Sequence, residues 1–341
     1  MQKLLAFFVV LIFAVIGLGA GSAFYVYKQW GKISPLKEPV LVEIQRGYGA
    51  EQVGRALQKN GVIESAKSFK WWCSFHPDKV NFKMGWYNIP IGQNIEQLVA
   101  LLSSGKTADT RITIPEGKAS WEIAAILAQP LRLNSKKLDS LMHSPEFTQS
   151  LGIKAKDLEG YLFPSTYDFS YGTDEQSAIK VMVHQNLKLR DEMQDKNSPI
   201  WEQLGGWHEV LTMASVVEKE AAVPQELAHI ASVFLNRLRI GMPLGADPTV
   251  RFIFRNMTGP IYRDQLESDN PYNTRKFAGL MPGPIANPGR AAIEATLFPM
   301  QTKDLYFVSK DDGSREHFFS QDFEQHKSYR IAAANNRRKA K

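Results

Sequence analysis

Two glutamates, Glu218 and Glu220, sit in the run "ASVVEKEAA" (214–222) among small and apolar neighbours. Burial penalises the charged form of a carboxyl, so a glutamate in such company stays protonated toward neutral pH and can serve as a general acid. On a helix turning about 100° per residue, Glu218 shares a face with Leu211, Ala214, Ser215, Ala221 and Ala222, whereas Glu220 points about 200° away, among Met213, Val216 and Val217. The pair cannot act on one atom from adjacent positions. One is the acid and the other structural, and the helical face favours Glu218. An ion pair to an arginine such as Arg237 or Arg239 is the competing reading for either.

Other polar side chains cluster in short segments. "LGADPTVRF" supplies Asp247 and Thr249, "PYNTRKFAGLMPGPI" supplies Tyr272, Asn273 and Thr274, and "IANPGRAAIEA" supplies Asn287. Asp247-Pro248 and Asn287-Pro288 also fit a helix N-cap with proline at the first helical position, so capping competes with a site role. In "LEGYLFPSTYDF" (158–169), Gly160 and Pro164 break a dense aromatic run that should be an extended loop or strand held by buried rings; its acid, Glu159, reads as a buried hydrogen-bond partner. Asn236 and Arg237 are supporting candidates. The single cysteine, Cys73, excludes an intrachain disulfide and a thiolate zinc cluster, and the sequence has no HExxH spacing, GxSxG elbow or Walker loop. No metal or cofactor is expected.

The elements that must position these residues are short and mixed, which points to an α+β fold. A helix over 207–222 is followed by Pro224 and a second helix closed by Gly241, and "DLYFVSKDDGSREHFFS" reads as a β-hairpin turning at Asp312 and Gly313. Three earlier segments repeat one pattern, aligned on Gly47, Gly92 and Gly117: a strand, a glycine turn, then apolar residues six and ten positions on, namely Val53 and Leu57, Leu98 and Leu102, Ile123 and Leu127. Each unit is too small to bury a core alone and should pack with its neighbours. The first two resemble LysM modules, βα units that bind N-acetylated glycans, over residues 40–105.

Leu4 to Tyr27 runs 24 residues without a charge, enough for a helix at about 1.5 Å per residue to cross a hydrocarbon core of about 30 Å. A cleaved signal peptide is the rival, but the apolar run continues through Phe24, Tyr25 and Val26 past the small residues that would mark a cleavage site. Flanking lysines do not decide the orientation. The expected organisation is an anchor (1–30), a LysM-like region (31–110), a catalytic domain (111–335) and a basic tail (336–341) read as a frayed terminus. The net charge of +6 is spread rather than clustered, so no nucleic-acid partner is expected.

In order along the chain, "LEGYLFPSTY", "ASVVEKEAA", "IASVFLNRLRIGMPLGADPTV", "YNTRKFAGLMPGPIANPG" and "LYFV" followed by "HFFS" resemble the motifs of the endolytic murein transglycosylase family, also called YceG-like or MltG. The resemblance implies a single-pass inner-membrane protein with a periplasmic C-terminal domain. Such a protein cuts nascent peptidoglycan between N-acetylmuramic acid and N-acetylglucosamine, leaves 1,6-anhydromuramic ends, and works beside penicillin-binding-protein synthases. The family's catalytic glutamate is the first after the apolar pair, here Glu218 after Val216 and Val217. Asp247, Thr249, Tyr272, Asn273, Thr274 and Asn287 become substrate-binding candidates, and Tyr161 and Phe163 candidates to stack on sugar faces. Where the motif leads one to expect an aromatic after "YNT", this chain has Arg275. A non-catalytic wall-binding protein and a hydrolytic muramidase pairing Glu218 with Asp247 stand as alternatives.

Overall fold

Alternation along "VLVEI" puts Val42 and Ile44 on one side and Glu43 on the other, giving strand β1 (Val40–Ile44), with Val42 and Ile44 in the core and Glu43 in solvent. In the computed structural model, which describes residues 27, 28, 30–255 and 257–339, all three repeats form a strand, a left-handed glycine and a helix. The first is β1, Gly47 and α1 (Ala50–Lys59). After α2 (Ala66–Phe75), the second is β2 (Gly85–Ile89), Gly92 and α3 (Ile95–Ser104). The third is β3 (Asp109–Thr113), Gly117 and α4 (Ser120–Leu131). The three glycines have φ of +84°, +78° and +68°, values at which a Cβ is strained. Val53, Leu57, Leu98, Leu102, Ile123 and Leu127 are all fully buried.

The chain divides into two compact units. The first comprises the described residues up to Thr110 together with Asp168–Gly172. There β1 and β2 pair antiparallel, with Val42 opposite Tyr87, and α1 and α3 bury their apolar stripes beside them. Asn94 caps α3: its Oδ1 accepts from the Gln97 amide at 2.9 Å, and the Gln97 side chain accepts from the Asn94 amide at 3.0 Å, a reciprocal capping box. Tyr87 is fully buried and shares its hydroxyl proton between the carbonyls of Lys83 (2.8 Å) and Leu102 (3.1 Å). Tyr87→Phe strips both carbonyls of that donor, so it should lower unfolding stability by about 1–2 kcal/mol, read as a lower denaturant midpoint with unchanged slope.

The second unit comprises Arg111–Tyr167 and the residues from Thr173 onward. The Gly117 turn and the helix of the third repeat belong here rather than with its two relatives. Its strand pairs with β4 (Thr166–Ser170) and α4 packs on α5 (Ser135–Met142). Beyond α6 (Pro145–Ser150), α7 (Glu175–Asp195) and α8 (Pro199–Leu204), the centre of the unit is α9 (Trp207–Glu220), packed against α10 (Leu227–Arg239) and, after α11 (Asp247–Ile253) and α12 (Arg263–Leu266), α13 (Arg290–Leu297). Every residue of α9 from Val210 to Val217 is buried, as expected of a helix apolar all round. The chain then turns extended at Ala221, because Val223 precedes Pro224 and is held out of the helical region. Both glutamates therefore lie on the last turn, where the helix leaves the core.

Strands β5 (Tyr306–Ser309) and β6 (His317–Ser320) pair antiparallel around the loop containing Asp312 and Gly313, and α14 (Phe323–Lys339) packs on them. The basic tail is not frayed at its start. Asn336 donates to the Lys310 carbonyl at 2.8 Å and Arg337 pairs with Asp311, so the helix carries on to Lys339. The fold is α+β, with three two-stranded sheets among the described residues. The expected anchor, Leu4–Tyr27, lies outside the described residues except at Tyr27 itself; among the described residues no helix is long and apolar enough to cross a membrane.

Candidate active site

Glu218 emerges from the core on the last turn of α9, partly buried. One carboxyl oxygen accepts from the Gly289 amide at 3.1 Å. Burial raises its pKa above the ordinary value; the Gly289 amide opposes the rise, the neighbouring charge of Glu116 adds to it, and Lys219 opposes it. The carbonyl end of α9 also disfavours a negative charge there. One glycine leaves room beside this side chain and a second leaves room for Glu116. A Cβ on Gly117 would come within 3.3 Å of Glu218 Cγ, and one on Gly289 would fall 1.9 Å from a Glu116 carboxyl oxygen.

A buried polar clamp fixes the loops that carry those glycines. Asn287 is fully buried; its Oδ1 accepts from the Leu162 amide at 2.7 Å, and its Nδ2 donates to the Lys118 carbonyl (3.0 Å) and to Glu159 (2.8 Å). Backbone hydrogen bonds join Gly117 N to Asn287 O and Asn287 N to Lys118 O, each 2.9 Å. Glu159, 3% exposed, also accepts from the Ser120 hydroxyl (2.8 Å) and the Ser120 amide (3.0 Å), one of the free N–H groups opening α4. Desolvation pushes the Glu159 carboxyl up to about 7, with the Ser120 hydrogen bonds opposing. Asn287 is therefore not an N-cap: Gly289 caps α13, and the Asn287 side chain ties three segments together.

Glu220 belongs to a second cluster. Burial pushes its carboxyl up to about 7, helped by Asp247 and opposed by Arg275 and Arg237. Asp247 occupies the first position of α11 rather than its cap, and its Oδ1 accepts from Arg275 Nε at 2.6 Å. Arg275 thus neutralises an acid at this site. Arg237 donates to the carbonyls of Leu305 (2.6 Å) and Leu244, and Arg239 turns to Asn236 (3.1 Å) and Gln203 (3.3 Å), so neither forms the ion pair expected with Glu218 or Glu220; Arg237 acts on Glu220 through its charge alone. Thr249 and Thr274 are buried and bonded to each other at 2.9 Å, with Thr274 also accepting from the Ala246 amide at 3.1 Å. Asn273, fully buried, donates to the carbonyls of Leu266 and Ser268, both at 2.9 Å. Asn236 donates to Thr302 and Asp304 carbonyls at 3.0 and 3.1 Å.

The expected sugar-stacking rings lie beneath the surface. Tyr161 is 4% exposed with its hydroxyl 3.1 Å from His208 Nδ1, and Phe163 is 8% exposed. Tyr272 is half-buried, its ring 5.1 Å from that of Phe252. Sequence reasoning passed over Glu116, Gly117 and Gly289, although the repeat alignment on Gly117 marked the turn that presents Glu116. Among the described residues no group of three or more His, Cys, Asp or Glu side chains is arranged to hold a metal ion.

Comparison with known proteins adds to this geometry. Residues 42–331 match the model of the YceG-like family. An endolytic murein transglycosylase of Bacillus subtilis strain 168 is 33% identical over 306 residues, covering 85% of this chain and 83% of that protein. One of Streptococcus pneumoniae strain R6 is 30% identical over 308 residues, covering 80% of this chain and 54% of that protein, so the chain spans about half its length. The crystal structure of a YceG-like protein from Listeria monocytogenes superposes with a TM-score of 0.58 at 32% identity, over 86% of this chain and 99% of the other. On the extent of these matches, the chain belongs to the YceG-like, or endolytic murein transglycosylase, family.

Proposed function

We propose that the chain is an endolytic peptidoglycan lytic transglycosylase. It cleaves the bond between N-acetylmuramic acid and N-acetylglucosamine within nascent glycan strands, leaves 1,6-anhydromuramic ends, and so terminates elongation. The observation that carries this reading is Glu218: a partly buried carboxyl with a raised pKa, presented between two glycines and held by one backbone N–H. Protonated, it donates to the leaving glycosidic oxygen; as a carboxylate, steadied by the Gly289 amide, it accepts the proton of the sugar's 6-hydroxyl while O6 bonds to the anomeric carbon. No water need be activated, so a second carboxylate is not required. Asp247, the partner expected by the hydrolytic alternative, is paired with Arg275.

Glu116 is the one observation that favours hydrolysis, since it sets a second carboxyl beside Gly289. Full-length protein incubated with uncrosslinked glycan strands separates the readings by mass spectrometry. Anhydro ends are expected; reducing ends would make the protein a muramidase, and intact strands held by the protein a wall-binding scaffold. Within the transglycosylase reading, Glu116→Gln removes a negative neighbour and lowers the pKa of Glu218. Glu218 must start protonated, so the alkaline limb of the pH–rate profile should move to lower pH.

The first unit is the LysM-like part of this proposal, and a groove lined by Glu43, Tyr48, Gln52, Arg55 and Trp86 supports glycan contact there. Leu4–Tyr27 serves as a single inner-membrane helix with the rest of the chain periplasmic, in the company of penicillin-binding-protein synthases. The uncharged run and the family resemblance support these assignments.

A further inference from the structure

The outward face of α2 exposes two large aromatic rings among polar residues. Lys67, Lys70, Trp71, Ser74 and Phe75 form its exposed stripe, at the three- and four-residue spacing of one helical face. Trp71 is 48% and Phe75 67% exposed, against fully buried Phe69 on the opposite face. Neighbouring rings extend this patch toward the amino terminus. Trp30 donates its indole N–H to the Ser68 carbonyl at 3.2 Å and packs against Phe75 with ring centroids 5.7 Å apart; Tyr27, 67% exposed, lies 5.8 Å from Trp30.

Tyr27 is also the last residue of the uncharged run that begins at Leu4. The point where that run ends is thus fastened to α2 by Trp30. We infer that the α2 face bearing Trp71 and Phe75 docks into the headgroup interface of the bilayer, laying the first unit against the membrane surface. The inference rests on the reading of Leu4–Tyr27 as a membrane helix.

The chemistry of the patch selects this occupant. Tryptophan and tyrosine, apolar bodies with a polar edge, concentrate at membrane–water interfaces. The headgroup layer is about 5–8 Å deep on each side of the hydrocarbon core. Two ring contacts, of 5.8 and 5.7 Å, link Phe75 through Trp30 to Tyr27 at the end of the run, which sets the patch beside the point where the chain would enter the bilayer. Lys67, on the same exposed stripe, supplies positive charge suited to anionic lipid. Tethering by the preceding segment makes the contact intramolecular, so a small patch suffices where it would not hold a free protein.

Full-length protein reconstituted in vesicles of phosphatidylethanolamine and phosphatidylglycerol tests the inference. A nitroxide label is placed at Trp71→Cys, at Phe75→Cys, and for comparison at Lys59→Cys, an exposed position beside β1 in the same unit. The native Cys73 is buried and its thiol is pushed up to about 12, so it stays unlabelled. Power-saturation spectra compare accessibility to oxygen, which concentrates in the bilayer, with accessibility to a water-soluble nickel chelate. A several-fold higher oxygen-to-nickel ratio at 71 and 75 than at 59 is expected.

Equal ratios at all three sites, in protein that stays with the vesicles through an alkaline wash, overturn the docking face and leave the anchor standing. Protein released by the wash overturns both. Dipolar broadening between labels at position 71 would assign the face to a second copy of the chain and overturn lipid docking.

Discussion

Glu218→Gln should abolish glycan cleavage while leaving fold and strand binding intact. Glutamine keeps the side-chain volume and an oxygen that still accepts from the Gly289 amide at the 3.1 Å site, so the loop at 289 and the end of α9 have no reason to move. What is lost is the transferable proton. General acid–base catalysis by one positioned group contributes on the order of 10²–10⁴-fold, and here the same carboxyl is asked to act as acid and then as base, so the upper part of that range is expected. Glu220→Gln is the matched control. Its carboxyl is likewise raised, but it faces Asp247, Arg275 and Arg237 rather than Gly289. Cleavage that survives Glu218→Gln and fails in Glu220→Gln would transfer the acid to Glu220 and remove the role of the Gly289 amide.

The choice between the two glutamates shows what the sequence carries and what it does not. Period and turn signals are local, and they revealed the three repeats: a glycine forced into the left-handed region, then two apolar positions a helical turn apart that close over a core. The same local reading found α9 but carried it to Ala222, two residues past its end at Glu220, because Pro224 marks that a helix must stop before it and not where.

Asn287 was legible as polar and special but not in its role. Asparagine before proline has the same appearance whether it caps a helix or bonds to chain 125 positions away, and its partners Leu162 and Glu159 are at that remove. Asp247 was ambiguous for a similar reason: it sits at the first helical position rather than the cap, and its neutralising Arg275 is 28 residues on. Tyr161 and Phe163 were read by type as sugar platforms, yet an aromatic side chain does not announce which of its faces meets solvent. Glu116 was hidden most completely, since nothing local distinguishes it from a solvated acid before a turn. Only the closure of loop 116–118 on loop 287–289 brings it to Gly289.

That closure depends on a group whose protonation changes near neutrality, and Glu159→Gln should make it insensitive to pH. Burial pushes the Glu159 carboxyl from the ordinary glutamate value of 4.5 up to about 7, so the folded state holds its proton more tightly than the unfolded chain. The stabilisation is fully present below the unfolded pKa and is lost as pH rises through the folded one, between about pH 4.5 and 7.5. A shift of that size corresponds to about 3 kcal/mol at most, Glu159 being almost fully enclosed. Glutamine satisfies the same partners: its oxygen accepts from the Ser120 amide and Asn287 Nδ2, and its amide donates to the Ser120 hydroxyl that formerly donated to it. The variant should therefore match wild type at pH 5, exceed it at pH 8, and show a flatter pH dependence of the denaturant midpoint, with a residual slope from Glu220 and Glu218, whose pKa values are raised in the same direction. Glu159→Leu provides the contrast. It strands one of the two Asn287 Nδ2 protons, the other still reaching the Lys118 carbonyl, and leaves the first amide of α4 without an acceptor, at about 1–3 kcal/mol for each unsatisfied group, and should be destabilised at every pH. Equal pH slopes for wild type and Glu159→Gln would mean that the clamp holds a carboxylate throughout, and that the pH response of the loops around Glu218 arises elsewhere.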